Sequence, residues 1–355
     1  ITWLSFFLIY IGFGIGYEWG QKYGKVEERE LEKNEFQSGR LFICIIGLMA
    51  VSIACFAFEA LKVGFIPLFS DEPHAYSYFH VSGVHYFTIS CILIPAITIL
   101  YLKVSRHIGW KKMAALVLAN FTAVAVPFLC VSRFQLLFAV GFAVVTYIMV
   151  NKRIRLRTMV ILLVALVPVY IILTVFRHHD VAYLNSIFEM KYSKMPIFIT
   201  QPYMYVANNF ENFNCMVAQL TEHTYGLKML FPFFALTGLK FLYPQLVSFP
   251  IFLTKKELTT LTMFYDAYYD FGIVGVFIFA VIVGAVAKVL MSIVKKSQNP
   301  VSYLFYGQIA IYLGLAFFTT WFSNPTTWFW LILTGMMCWF VGYDKNKKKD
   351  EQKDE

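Results

Sequence analysis

The chain has 355 residues, of which 59% are hydrophobic, 19% are aromatic and only 14% are charged, whereas about 25% of the residues of a soluble domain are charged. This apolar surface is more than a water-soluble core of this size encloses, so the composition excludes a soluble protein and predicts an all-α polytopic membrane protein. The formal net charge of +9 is spread over short Lys and Arg clusters between apolar runs, which argues against a nucleic-acid-binding surface.

Nine mostly apolar runs, each close to the about 20 residues that a helix needs to cross a bilayer, predict about nine transmembrane helices. In chain order the runs are 1–17, 41–63, 86–102, 113–131, 134–150, 158–176, 271–294, 301–322 and 327–343. The first run starts at Ile1, without an initiator Met. We therefore expect the natural chain to begin further upstream, where a further span or a signal segment remains open.

The loops between these runs alternate in charge, which predicts the orientation of the chain. Lys and Arg are concentrated in 22–40, 103–112, 152–157, 295–296 and 345–349, whereas 64–85 and 323–326 have none and 132–133 has one. Short loops rich in Lys and Arg stay in the cytoplasm. One topology satisfies all of these loops, with the first residue outside and the C-terminus inside.

The preference of Lys- and Arg-rich loops for the cytoplasm applies only to short loops, and the segment 177–270 is too long for it. We predict that this segment is a large external loop. Its apolar pieces contain Pro196, Pro202, Pro232, Pro244 and Pro250. We expect these prolines to break any helix of spanning length and to leave amphipathic or re-entrant helices as a cap. A hidden pair of spans is the alternative, which would raise the number of spans to eleven. The predicted division is 1–176 and 271–343 for the membrane helices, 177–270 for the external loop and 344–355 for a cytoplasmic tail.

Two arginines lie at the predicted outer boundary of the membrane. Arg133 is about 20 residues from both Lys112 and Lys152, or about 30 Å of helix, and Arg177 follows Arg157 at the same spacing. For each arginine taken alone, the alternative is that its side chain extends to a lipid phosphate or neutralises a nearby acidic residue. Together they indicate a site for an anionic headgroup, because a guanidinium offers planar, bidentate donors that suit a pyrophosphate.

His178 and His179 follow Arg177 directly. Neighbouring residues of a helix do not share a face, so the two histidines are a poor chelating pair. No acidic cluster faces outward either, and we expect no metal and no cofactor. Since His titrates near neutral pH, one of the two is a candidate general base. A histidine that only forms hydrogen bonds at the interface is the alternative.

Amides, carboxylates and aromatic rings are interleaved in the external loop, which is the combination that sugar rings need for stacking and for hydrogen bonds. The candidate substrate-binding residues there are Tyr205, Asn208, Asn209, Glu222, His223, Tyr265, Asp266 and Tyr269. The alternative for each tyrosine is an interfacial aromatic belt.

The first external loop opens with GFIPLFS at 64–70, where Gly and Pro around an apolar stretch predict a rigid turn at the surface. His74, His80 and His85 follow, and His74 is a further candidate substrate-binding residue. Glu59, near the outer end of the preceding span, is expected to form a lateral salt bridge rather than to act as a catalytic acid.

These features together resemble the oligosaccharide repeat-unit polymerases of bacteria, the Wzy-type O-antigen and capsule polymerases. The matching pieces are GFIPLFS at 64–70, Ser132-Arg133 at the top of a tight hairpin, the region of Tyr205, Asn208 and Asn209, and YYDFGIVG at 268–275. These pieces are distributed over most of the chain from about 64 to 284. The resemblance rests more on their order along the chain than on any one short motif. The first external loop differs from some family members in having histidines instead of an Arg after Pro-Leu-Phe-Ser.

The resemblance implies a GT-C-like, metal-independent membrane glycosyltransferase of the bacterial cytoplasmic membrane, with its active site facing the periplasm or the cell exterior. Such an enzyme moves the growing glycan in block from one undecaprenyl pyrophosphate onto the non-reducing sugar of a second lipid-linked repeat unit. Arg133 and Arg177 would hold the pyrophosphate. The implied partners are undecaprenyl-pyrophosphate-linked oligosaccharides and membrane lipids, with a chain-length regulator and a flippase as further candidates, and no nucleic acid.

Two alternative functions remain open at this point. One is an O-antigen ligase-like transferase, which uses the same donor and a different acceptor. The other is a transporter or lipid flippase without chemistry, which predicts charged residues at the bilayer midplane and repeated halves. The conspicuous charges of this sequence lie at the outer edge instead, and no halves repeat.

Overall fold

The structure is a computed structural model that describes residues 1–22, 29–72, 75–177 and 180–342. Within these residues all regular secondary structure is helical. The α-helices are α1 (Thr2–Gln21), α2 (Glu35–Val63), α3 (Val84–Thr88), α4 (Ile94–Val104), α5 (Trp110–Leu129), α6 (Arg133–Asn151), α7 (Leu156–Val175), α8 (Val181–Ile187), α9 (Ile197–Gln219), α10 (Phe231–Leu236), α11 (Leu239–Leu242), α12 (Tyr265–Lys296), α13 (Val301–Gly314) and α14 (Pro325–Gly342). Short 3₁₀ turns lie at Pro67–Phe69, Ala75–Ser77, Ile89–Leu93, Pro244–Leu246 and Trp321–Ser323.

Six helical segments of the described chain are long and apolar enough to cross a membrane. They are α2, the continuous segment Val84–Val104 that contains α3 and α4, then α5, α6, α7 and α12. As predicted, the chain is an α-helical polytopic membrane protein. The other three apolar runs also contain helices, but α13 has only 14 residues, and α1 and α14 are not among these six segments.

Local sequence signals explain where the long helix α2 begins and ends. The side chain of Asn34 accepts a hydrogen bond of 3.1 Å from the backbone N–H of Gln37, which caps the first turn. At the other end Gly64 adopts a left-handed conformation with φ 85°, and its N–H bonds to the carbonyl of Ala60. Glycine is favoured there because a Cβ strains this conformation. The GFIPLFS motif therefore starts at a helix end.

Helices α1 and α12 pack with their backbones in close approach. Gly12, Gly16 and Gly20 of α1 face α12, and a Cβ on Gly16 would overlap the carbonyl oxygen of Val281. On the other side, a Cβ on Gly284 would overlap the carbonyl oxygen of Phe13. Small residues spaced four apart allow this contact, as in many helix pairs in membranes.

The core of the bundle lies around Val84–Val104, where 67% of the apolar 18-residue window is buried within the protein, the largest share among the six segments. Next to it, aromatic rings from three helices interlock. Phe142 of α6 packs edge-on against Tyr312 of α13 and Trp330 of α14, with ring centroids 6.1 and 6.2 Å apart. These contacts hold α6, and with it Arg133, in a fixed place.

The basic loops meet at one end of the bundle. Contacts at that end join Arg29 with Lys295, Asn34 with Val104, Lys152 with Glu30 and Asn299 with Cys338. The predicted alternation of loop charge thus corresponds to two ends, one with the basic loops and one with the segments around Arg133 and Arg177. The predicted tail 344–355 lies outside the described residues.

The external segment is folded more regularly than its prolines predict. Helix α9 has 23 residues and continues through Pro202, so the expectation that proline breaks every long helix here is wrong at this position. Pro202 is the sixth residue of α9, where it removes a single backbone hydrogen bond near the helix start. At the other end of the segment, α12 begins at Tyr265 and bends at Gly272, which has φ 62°.

Candidate functional site

Arg133 is the first residue of α6 and is almost completely buried, with 4% of its surface exposed. Its Nη1 donates to Oγ1 of Thr174 at 2.8 Å and to Oε1 of Gln201 at 2.9 Å, and lies 3.4 Å from the hydroxyl of Tyr170. Tyr170 and Thr174 are on α7, and Gln201 is on α9. The guanidinium group is therefore enclosed by three helices, and the α5–α6 hairpin positions it.

Arg177 follows the end of α7 and lies beside the same hairpin, with 9% of its surface exposed. Its Nη2 donates to the carbonyl of Val131 at 3.2 Å, and its guanidinium carbon lies 3.9 Å from the centre of the Tyr76 ring. Burial lowers the pKa of Arg177, and the positive charge of Arg133 lowers it further. The charges of the two arginines thus interact, and the two cations repel each other.

The two guanidinium groups keep donors that the chain does not satisfy. Nε and Nη2 of Arg133 and Nε of Arg177 are buried without a hydrogen-bond acceptor, and no carboxylate of the described residues forms an ion pair with either group. Buried charges are costly unless they are paired. This arrangement is suited to an anion with several oxygens, which would satisfy both cations at once.

Aromatic rings form a wall beside the arginine pair. Tyr205 of α9 packs against Phe134 and Phe318 with centroid distances of 6.0 and 5.4 Å, and Phe134 stacks on Phe318 at 4.2 Å. Burial raises the pKa of Tyr205, although the two arginines oppose this. The Tyr205 hydroxyl therefore remains protonated near neutral pH and can act as a donor.

An apolar groove runs between α6 and α7 and ends at Arg133. Its volume is about 100 Å³, and its lining besides Arg133 and Tyr170 is aliphatic or aromatic, with Phe134, Leu136, Leu137, Leu166, Val169 and Leu173. A ligand with an anionic head and a hydrocarbon tail matches this change from charged to apolar lining.

The asparagines of α9 hold neighbouring loops in place. Asn209 is fully buried. Its amide donates to the carbonyls of Phe317 and Phe318 at 2.8 and 3.3 Å, and its Oδ1 accepts from the hydroxyl of Thr260 at 2.7 Å. The chain itself therefore uses the hydrogen-bonding groups of Asn209, and its predicted sugar contact stays a prediction. Asn208 accepts from the Thr254 hydroxyl, but its Nδ2 is buried without a partner.

Tyr265 and Asp266 have different environments at the start of α12. The Tyr265 hydroxyl donates to the carbonyl of Phe252 and accepts from its N–H, so Tyr265 fixes a loop, and its predicted substrate contact stays a prediction. Asp266 instead lines a cavity of about 330 Å³ together with Lys228. Burial lowers the pKa of Lys228, and the charges of Asp266 and Asp270 oppose this.

The same cavity contains further groups that bind hydroxyls well. Thr320, Ser323 and Asn324 line it beside Asp266. The predicted residue Tyr269 lies behind Lys228, whose Nζ is 4.7 Å from the centre of the Tyr269 ring. A carboxylate, a cation, two hydroxyls and an amide around one cavity favour a polar, uncharged ligand such as a sugar ring.

His223 and Asp270 hold the bend of α12. Nδ1 of His223 lies 3.1 Å from the carbonyl of Tyr269, and its ring fills the space beside Gly272. Asp270 accepts from the backbone N–H groups of Lys228 and Met229. Glu222 is exposed. The structure thus does not bring Glu222 and His223 to the arginine pair.

Three predicted site residues, His74, His178 and His179, lie outside the described residues. The site also contains groups that the sequence did not indicate. Tyr76, Tyr170, Thr174 and Gln201 surround the arginines. Their polar or aromatic character is a weak signal, because it becomes informative only once helices α7 and α9 and the first external loop are placed next to Arg133.

The described residues contain no group of three His, Cys, Asp or Glu side chains that could hold a metal ion. Comparison with protein-family models, with curated proteins and with solved structures found no match.

Proposed function

We propose that this chain is a membrane glycosyltransferase that polymerises undecaprenyl-pyrophosphate-linked oligosaccharide repeat units. The observation that carries the proposal is the pair of buried arginines, Arg133 and Arg177, with donors that the chain leaves unused. A polyprenyl pyrophosphate has both parts that this site accepts, because its diphosphate is anionic and its tail is a hydrocarbon. The resemblance to Wzy-type polymerases supplies the reaction type.

The proposed topology has nine crossings and a GT-C-like arrangement, with the basic end of the bundle in the cytoplasm. Lys and Arg in short loops favour the cytoplasmic side, and these loops contact one another in the protein. The arginine pair then faces the outer surface of the bacterial cytoplasmic membrane, where lipid-linked repeat units are joined. A transporter is disfavoured because this pair lies at the end of the bundle.

The proposed reaction needs charge stabilisation more than acid catalysis. An acceptor hydroxyl oxygen attacks the anomeric carbon of the donor glycan, the bond from that carbon to the pyrophosphate oxygen breaks, and the electron pair leaves with the pyrophosphate. Arg133 and Arg177 stabilise this developing negative charge. The hydroxyl proton passes to His178 or His179, the next residues after Arg177. No resident metal or cofactor is required by this scheme.

The groove between α6 and α7 is proposed to hold the first isoprene units of the donor lipid. The cavity beside Asp266 is proposed to hold a sugar of the glycan. In this proposal the diphosphate lies between a lipid groove and a polar cavity, with the aromatic wall of Tyr205 on one side. It is the order in which these groups occur along a lipid-linked oligosaccharide.

The test is chain growth by the purified protein in lipid nanodiscs with lipid-linked repeat units as the only other component. We expect a ladder of products, unaffected by EDTA. Arg133→Ala and Arg177→Ala should lower the rate at least about 100-fold, since each removes a donor aimed at the transition-state charge. The matched control is Arg106→Ala, an exposed arginine at the basic end.

Each contrary outcome has a defined meaning. If either arginine variant forms long products at the normal rate, the role assigned to the arginine pair is refuted. Transfer of the glycan to a different acceptor, without longer ladders, would make the chain a ligase. Loss of activity with EDTA and recovery with Mg²⁺ would refute the metal-independent mechanism.

A further inference from the structure

A buried carboxylate positions a histidine at the far end of the first external loop. Glu59, on the last turns of α2, is fully buried. Its Oε1 accepts from the N–H of Val81 at 2.8 Å, and its Oε2 accepts from the hydroxyl of Thr88 at 2.7 Å and lies 3.1 Å from Nδ1 of His85. The expected ion-pair partner of Glu59 is thus His85 of this loop, when the imidazole is protonated.

The contact with Glu59 defines the proton positions on His85. An ionised carboxylate only accepts hydrogen bonds, so Nδ1 of His85 carries the hydrogen. In the neutral imidazole the lone pair is then on Nε2, which is an acceptor. The side chain of His85 is 27% exposed, and it lines an open cavity. Glu59 therefore presents His85 as an oriented acceptor.

The cavity beside His85 has a volume of about 660 Å³. The first external loop forms one side of it, α10 and α11 with the residues between them form the second, and α14 forms the third. Its polar lining includes His80, Thr237 and Lys240, and Phe241 contributes a ring that is 64% exposed. No carboxylate of the described chain lines it. The cavity thus offers a hydrogen-bond acceptor, several donors and a flat apolar surface.

We propose that this cavity is a glycan-binding subsite, in which Nε2 of His85 accepts a hydrogen bond from a sugar hydroxyl and Lys240 donates to a ring or hydroxyl oxygen. A pyranose presents hydroxyls and an apolar C–H face, and both match this lining. The volume accommodates about one to three sugar rings. The inference rests on the proposed function, which makes an oligosaccharide the substrate.

The first external loop connects this subsite with the arginine pair. Tyr76 packs against the guanidinium group of Arg177, and nine positions later His85 lines the cavity. A glycan bound at His85 and a diphosphate bound at Arg177 would therefore contact the same loop. The glycan of the donor or of the acceptor can therefore bind at the His85 cavity, at a distance from the lipid to which it is attached.

The test measures the reaction of His85 with diethyl pyrocarbonate, which modifies neutral imidazole, by mass spectrometry of the full chain in nanodiscs. The probe is the lipid-linked repeat unit extracted from cells that lack this protein. We expect it to slow modification of His85 at least about fivefold. His107, exposed at the basic end, is the internal control and should react at an unchanged rate.

Two outcomes would overturn the subsite. One is equal modification of His85 with and without the probe. The other is equal protection by undecaprenyl phosphate, which has no glycan, because this would make the cavity a lipid-headgroup site. If His85 is protected but the protein joins no repeat units, the proposed function fails and the subsite stands. If chain growth depends on Arg133 and Arg177 while His85 is unprotected, only the subsite fails.

A variant gives a second measurement. In His85→Asn the side-chain amide still donates to Glu59, but the imidazole edge that faces the cavity is removed. We expect the KM for the lipid-linked repeat unit to rise about tenfold while kcat changes less than about twofold. His107→Asn is the matched control. An unchanged KM in the folded His85→Asn protein would contradict the subsite.

Discussion

Buried polar side chains at the outer end of the bundle differ in whether the chain satisfies them. Asn209 and Asn212 bond to backbone carbonyls of irregular segments, which need donors because no helix supplies them. The guanidinium groups of Arg133 and Arg177 and the amide of Asn208 keep unused donors. We assign the first group to the stability of the fold and the second to ligand binding.

The role of Asn209 is testable by its removal. In Asn209→Ala the carbonyls of Phe317 and Phe318 and the hydroxyl of Thr260 lose their partner. Each buried unsatisfied group costs about 1–3 kcal/mol, so we expect the free energy of unfolding to fall by at least about 2 kcal/mol. The measurement is thermal unfolding of the detergent-solubilised protein.

The control is Asn214→Ala on the same helix, where the side chain is exposed and accepts a hydrogen bond from the Thr2 hydroxyl. This change should stay within about 0.5 kcal/mol. Equal stability of the two variants would show that the Asn209 amide is not needed by the fold, and would restore it as a candidate ligand for sugar.

The sequence predicts the two arginines but not their surroundings. The length of a membrane helix is fixed, so counting residues places Arg133 and Arg177 at one depth. The contacts of Gln201 and of Tyr76 depend on how α9 and the first external loop fold back, which no local pattern encodes. The sequence also cannot distinguish an amide that binds a ligand from one that binds the chain, which is why its pattern does not separate Asn208 from Asn209.

At the scale of elements, small residues determine how α1 docks. Three glycines at four-residue spacing on α1 face α12, which lets the two backbones approach. Gly14 lies on another face of α1, and a Cβ added there would have no neighbouring atom within 4 Å. The four-residue spacing therefore matters because it places the three glycines on the face of α1 that contacts α12. The number of glycines in α1 does not by itself determine this contact.

This difference gives a matched pair of variants. In Gly16→Ala the added methyl group meets the backbone of Val281, so α1 must shift away from α12. Overpacking of this kind costs about 1–3 kcal/mol. We expect a corresponding loss in thermal stability for Gly16→Ala and a change within about 0.5 kcal/mol for Gly14→Ala. Equal stability of the two variants would mean that the backbones of α1 and α12 are further apart than in the structure.

Most elements of the fold follow from the apolar pattern, and the exceptions have physical reasons. Each of the nine apolar runs contains an α-helix in the structure, because a chain in lipid must satisfy its backbone internally. The external segment was less predictable, since water or neighbouring elements can satisfy its backbone. There α9 tolerates Pro202, and the bend at Gly272 depends on the ring of His223 from a distant loop.

At the scale of the whole molecule, the two ends of the bundle have different chemistry. One end contains the basic loops and their mutual contacts. The other contains the arginine pair, the cavity beside Asp266 and the cavity beside His85. The segment after α13 joins two of these sites, because Phe318 packs on Tyr205 beside the arginines and Thr320 lines the Asp266 cavity. All proposed substrate contacts therefore lie on one side of the membrane.

Which side this is can be measured with two exposed lysines. Lys191 lies in the external segment and Lys111 at the start of α5, among the basic loops. Each is changed to Cys in a background in which the partly exposed cysteines are replaced by Ala. These are Cys44, Cys55, Cys215 and Cys338. We expect a membrane-impermeant maleimide to label Lys191→Cys in intact spheroplasts and to label Lys111→Cys only after lysis.

The physical reason is the retention of short Lys- and Arg-rich loops in the cytoplasm. The two substitutions remove the same side chain, so a difference in labelling reports location rather than chemistry. Labelling after lysis must be equal for both variants, which controls for local accessibility. The reverse pattern would place Arg133 and Arg177 on the cytoplasmic side and would exclude a reaction on repeat units that have already crossed the membrane.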